Sequence, residues 1–146
     1  FAEPGDEATR GIGIRGSAFR GLAAFDEEDW SELATGELLE RDDVDGVLML
    51  MENPTPDDIP LILCVDGLLT AKGGSSSHAA VAINGCEKRR YTAVMSAAGL
   101  RVNAAQHEAV ILDADGEERE RIRKGDVVSI HGTTGQVYLG SRSLLS

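Results

Sequence analysis

The residues best placed for chemistry lie in LLTAKGGSSSHAAVA, residues 68–82, where His78 follows a glycine-serine stretch and precedes a small apolar run. Gly73 and Gly74 lack a Cβ, so the backbone there can turn sharply and expose its N–H groups. Ser75, Ser76 and Ser77 add hydroxyls that can cap a helix or hold an anion. Ala79, Ala80, Val81 and Ala82 read as a short helix, which sets His78 at its positive end. A phosphate group is favoured there by the helix dipole and by free amides. Carrying a phosphoryl group on imidazole needs an unprotonated ring nitrogen, an open approach and donors for three oxygens. A helix N-terminus disfavours imidazolium. Ser76, Ser77 and the Gly73 and Gly74 amides could supply the donors. From these residues alone, a surface histidine in a turn competes with that reading.

Other polar residues have weaker settings. Thr70 stands open between a contact to the phosphoryl group or its loop and the last β-branched residue of a strand. Lys72 reads as a solvated loop lysine, with attraction of a polyphosphate as the alternative. Arg101 suits a phosphate or partner carboxylate and equally a surface ion pair. His107 and His131 lack any comparable setting and are expected to be exposed. Cys64 and Cys86 lack metal-ligand spacing and fit a reducing cytoplasm. No His, Cys, Asp and Glu spacing suggests a metal centre.

The elements that would position His78 can be read on either side of it. Phe1–Arg10 is polar and acidic and reads as a flexible tail or linker, not a signal peptide. Gly13 to Phe25, with Gly16 and Gly21, suggests a bent strand or two short ones. Asp26-Glu27-Glu28 opens a helix carrying Trp30, Leu33 and Ala34 on one face. Val47–Met51 is a continuous apolar run, as in a strand buried on both sides. Thr55-Pro56-Asp57-Asp58 is a helix start, with Ile59, Ile62 and Leu63 toward the core. Asp66–Thr70 then delivers the chain to the glycine loop. Thr92–Met95, Ala109–Leu112, Val127–Ile130 and Gln136–Leu139 are strand candidates, with turns at 113–116 and 132–135. The Glu117–Lys124 charge run reads as a solvated loop or edge. The pattern is α/β. At 146 residues the chain has the length of one domain, its net charge of -11 disfavours nucleic acid, and no apolar run approaches the ~20 residues of a membrane span.

The pattern LT-x-x-GG-x-x-SHAA resembles the phosphohistidine, or swivelling, domain of phosphoenolpyruvate-utilising enzymes such as pyruvate phosphate dikinase and phosphoenolpyruvate synthase. ENPTPDDIPLILCVDG (52–67), SAAGLRVN (96–103) and IRKGDVVSIHGTTGQVYLG (122–140) are similar to family segments in the same order. The chain departs from the family pattern at Ile83, where an arginine is usual, across Asn84–Met95, and at His131, where Asp or Asn is common. The resemblance implies a single three-layer β/β/α sandwich over residues 11–146, after a tail at 1–10. It implies His78 as the catalytic phosphoryl carrier, with Thr70, Gly73, Gly74, Ser76 and Ser77 around the phosphate. An ATP-binding domain would load the histidine, and a second domain binding phosphoenolpyruvate or pyruvate would unload it, in the same or separate polypeptides. Magnesium and ATP would belong to those partner domains, since this chain has no Walker-type loop. An independent phosphocarrier and a non-catalytic swivelling module that binds ligands or partners are the alternatives.

Overall fold

The computed structural model describes residues 9–36, 44–72, 78–85, 91–113 and 115–139. In chain order the strands are β1 (Thr9–Arg10), β2 (Ile12–Arg15), β3 (Ala18–Ala24), β4 (Gly46–Met51), β5 (Gly67–Thr70), β6 (Thr92–Met95), β7 (Leu100–Asn103), β8 (Glu108–Leu112), β9 (Glu118–Arg123), β10 (Val127–His131) and β11 (Gln136–Leu139). The helices are α1 (Glu27–Thr35), α2 (Ile59–Cys64) and α3 (His78–Asn84).

Eight strands form one sheet in the order β1-β11-β10-β3-β4-β5-β6-β2, and β7-β8-β9 form a second. Strands β3 to β6 run parallel, and α1, α2 and α3 fill their successive crossovers. That follows from geometry, because parallel neighbours cannot be joined by a tight turn.

Side chains alternate across each strand. Val47 and Met49 of β4 face one side with Leu22, Ala24, Leu68, Ala93 and Met95, packed on Leu33, Ile62, Ala80 and Ile83 of the helices. Leu48 and Leu50 face the other side with Phe19, Ala23, Leu69 and Val94, packed on Leu100, Ala109, Ile111 and Ile122 of the small sheet. Helices lie on one face of the large sheet and the small sheet on the other. The chain is therefore the β/β/α sandwich that the motif implied.

Several local expectations are confirmed with changes. Asp26 caps α1, its Oδ1 accepting the Asp29 amide at 2.8 Å. At the second helix start a 3₁₀ turn over Pro56–Asp58 precedes α2, and the Asp58 carboxylate accepts the Thr55 amide at 2.9 Å. Leu61 and Ile62 face the core there, whereas Leu63 does not join it. Thr9 and Arg10, read as part of the tail, pair with β11, and the rest of that segment lies outside the described residues. The Glu117–Lys124 run contains edge strand β9, which sends Ile122 inward and lines its exposed side with charge. Charged edges block pairing with other chains.

His107 is the clearest correction. It sits in the left-handed region at φ 53°, and its Nδ1 is 2.8 Å from Oδ2 of Asp29, a carboxylate only 1 % exposed. The same carboxylate accepts the Phe25 amide at 3.0 Å and lies 3.5 Å from the Lys124 ammonium, which also pairs with Glu32. His107 lies between β7 and β8, so this cluster clasps the small sheet to α1 around the end of the large sheet.

The hydrogen bond to Asp29, and then the charge of Asp29, raise the His107 pKa above its ordinary 6.5. Folding therefore favours the protonated ring. The resulting stability is fully present below the unfolded value and is lost as pH rises through the raised folded value. Urea midpoints of the wild type should fall between about pH 6 and pH 9, while His107→Asn, which tolerates the left-handed backbone, should lose most of that dependence. Parallel titration curves for the two proteins would contradict the clasp.

Candidate functional site

Strand β5 is buried throughout, and its C-terminal end leads toward His78. His78 is the first residue of α3, a helix of 7 residues. Ala80 and Ile83 of α3 are 0 % exposed and locked in the core, whereas Val81 is 61 % exposed. At 100° per residue, position 78 lies on the side of the helix opposite 80 and 83 and shares a face with 81 and 82. The C-terminal end of α3 is held from β2, where Arg15 Nη1 donates to the Ile83 carbonyl at 2.7 Å. A cation suits that end of a helix dipole. The buried Tyr91 hydroxyl donates to the Ile62 carbonyl and so ties α2 to the start of β6. Gly73, Gly74, Ser76 and Ser77, and with them the expected cradle around the ring, lie outside the described residues.

The approach from β5 is well defined. Ala71 N–H donates to the Met51 carbonyl at 3.1 Å and Lys72 N–H to the Glu52 carbonyl at 2.9 Å. Thr70 is fully buried, and its Oγ1 donates to the Lys72 carbonyl at 2.6 Å. The same oxygen accepts the Ser96 amide at 3.4 Å, and the Thr70 carbonyl accepts the Ala97 amide at 3.0 Å. Ser96 has φ 56°, a conformation uncommon outside glycine. These bonds turn the Thr70 hydroxyl onto the chain at the start of the segment that leads to His78. A hydroxyl has one proton, and this one is committed to Lys72, so donating to a phosphate would break the turn.

The remaining candidates fall elsewhere. The Lys72 side chain is 62 % exposed and stands 4.0 Å from Glu52, in keeping with a solvated lysine. Arg101 is exposed on β7 and donates to its neighbour's carbonyl, Leu100, at 2.8 Å. His131 is partly buried, and its Nδ1 accepts the Thr133 and Thr134 amides at 3.3 and 3.4 Å. That is the task an Asp or Asn side chain performs in such a turn, which accounts for a histidine there. The turn must stay close to β2: a Cβ on Gly132 would lie 1.7 Å from the Arg15 carbonyl oxygen. Cys64 is exposed, and Cys86 lies outside the described residues. Among the described residues, Asp26, Asp29 and His107 come within 4.8 Å of one another in a metal-like grouping. Lys124 and the Phe25 amide already engage Asp29, so the group works as an ion-pair cluster.

Sequence reasoning missed Arg15, Glu52 and Ser96. Glu52 carries the plainest signal, a carboxylate directly after a fully apolar strand, and its Oε1 accepts the Val102 amide of β7 at 2.9 Å.

Residues 43–135 match the family described as PEP-utilising enzyme, mobile domain. The chain belongs to this family. It is 34% identical over 131 residues to pyruvate, phosphate dikinase of Entamoeba histolytica, covering 90% of this chain and 13% of that protein. It is 37% identical over 99 residues to pyruvate, phosphate dikinase 2 of Oryza sativa, covering 68% and 10%. Over 123 residues it is 33% identical to the chloroplastic pyruvate, phosphate dikinase of Flaveria trinervia, covering 84% and 11%. The chain thus spans about a tenth of the length of these relatives. Among the described residues, no helix of this mobile domain is long and apolar enough to cross a membrane.

The Arg15 contact makes a local prediction about the mobile domain. Arg15→Met keeps the stem and removes the donor, and should cost about 1–2 kcal/mol. Amide hydrogen exchange should speed up across α3 while β4 and β5 stay protected. Equal acceleration in the central strands would show that the contact supports the whole fold and not α3.

Proposed function

We propose that this mobile domain is a phosphohistidine carrier, with His78 accepting a phosphoryl group from an ATP-binding domain and passing it to pyruvate or a related acceptor. The observation that carries the reading is the placement of position 78. It is the first residue of a helix pinned into the core by Ala80 and Ile83, on the side facing away from that core, in a chain of the PEP-utilising family. A lone pair on an unprotonated ring nitrogen forms the N–P bond, while the P–O bond to the donor breaks and its electrons leave with the donor oxygen. In the second step an acceptor oxygen attacks phosphorus and the imidazole leaves with the N–P electrons. Amides and hydroxyls of Gly73, Gly74, Ser76 and Ser77 stabilise the phosphoryl oxygens.

The relatives' name, pyruvate, phosphate dikinase, supports a phosphotransferase of that type as the whole activity. Their length supports partner domains in the same polypeptide. ATP and magnesium belong with those partners in this proposal. The net charge of -11 disfavours nucleic acid as a partner, and an exposed thiol at Cys64 suits the cytoplasm.

The test supplies the chain with an ATP-binding domain of a dikinase, ATP and magnesium, followed by mass spectrometry in alkaline conditions that preserve phosphohistidine. Label should appear on His78, and His78→Ala should abolish it while leaving the unfolding midpoint nearly unchanged. The chain alone should consume neither ATP nor phosphoenolpyruvate. Label on a serine or on His107, or label persisting in His78→Ala, would overturn the assignment.

A further inference from the structure

We infer that Thr70 is a positioning residue for phosphoryl transfer, its buried hydroxyl setting the direction in which the backbone leaves β5 toward His78. The inference rests on the phosphohistidine reading above and adds to it a residue that need not touch the phosphate.

The argument is about peptide planes. The amide before Lys72 is fixed because its N–H donates to the Glu52 carbonyl at 2.9 Å. The peptide after Lys72 is fixed because its carbonyl accepts the Thr70 hydroxyl at 2.6 Å. With both planes set, the Lys72 dihedrals are set, and so is the direction in which the chain leaves Lys72. Thr70 is 0 % exposed, so its hydroxyl has no water to exchange with. Its oxygen also accepts the Ser96 amide at 3.4 Å, where the chain leaves β6 with φ 56°. One side chain therefore couples the exits of two adjacent parallel strands. At the far side of the loop, His78 begins a helix already held by Ala80, Ile83 and Arg15. Without the Thr70 bond the Lys72 carbonyl is free to rotate, and the direction in which the chain leaves Lys72 toward His78 is no longer set. In-line transfer is sensitive to that, since a misplacement of about 1 Å can cost roughly 10²-fold in rate.

The experiment is single-turnover labelling of His78 by a dikinase ATP-binding domain, at a temperature where every variant is folded by circular dichroism. Thr70→Val, which keeps the shape and removes the hydroxyl, should lower the maximal labelling rate about 10- to 100-fold and leave the half-saturating donor concentration unchanged. Thr70→Ser, which restores the hydroxyl, should label within about threefold of the wild type. Thr70→Cys, a weak donor of similar size, should fall between them and replaces the valine variant if that one does not fold. Wild-type rates in folded Thr70→Val or Thr70→Cys would overturn the inference, as would a Thr70→Ser protein as slow as Thr70→Val. Those outcomes leave His78 as the carrier. Absence of wild-type label on His78 instead overturns the phosphohistidine reading itself.

Discussion

A parallel sheet that is apolar on both faces must be covered on both faces, and the rest of this structure follows from that requirement. Val47, Leu48, Met49 and Leu50 are all 0 % exposed, so successive residues of one strand are buried in opposite directions. Each such side chain contributes about 1.5–3 kcal/mol only while its own cover is in place. The crossover helices cover one side because parallel connections need them. The small sheet covers the other. Helix α3 is therefore a cover first, and the residue it presents at its start is held by that duty: moving His78 far would uncover Ala80 and Ile83.

Burial on two sides also explains what could be read in advance. A strand with no solvent face shows as an unbroken apolar run, so Val47–Met51 was plain, and the bounds of β6 and β11 were read correctly. Strands with one wet face and few inward residues gave no such signal. In β9 only Ile122 is buried, and in β7 only Leu100, so charge and small size masked both. The site divided along similar lines. The helix beginning near His78 was legible from a local motif, since glycine, serine and alanine act over a few residues. The partnership of His107 with Asp29 joins residues 78 apart in sequence, and no local pattern announces it. The role of Thr70 was ambiguous because a strand-ending threonine can donate outward or back to the chain, and the backbone at Lys72 decides which.

The acidity of the chain has a use inside the fold. Asp26 accepts the Asp29 amide, Asp29 that of Phe25, Asp66 that of Val47, Asp126 that of Arg123, and Glu52 that of Val102. These are turn and strand-end positions, where backbone donors lack partners within regular structure. Part of the negative charge is thus spread along the ends of strands, acting as an acceptor for amides that would otherwise need water.

The pairing of β1 with β11 brings the first and last described strands together at one edge of the large sheet. Strand β5, which leads to His78, lies four places in from β11 in the strand order. At about 4.8 Å per strand, it stands about 19 Å from β11. Every step between them is a hydrogen-bonded strand pair, so a displacement of β11 is passed across the ladder to β5. Stiffness across the strands, more than flexibility within them, would hold the span between β5 and the paired β1 and β11 constant.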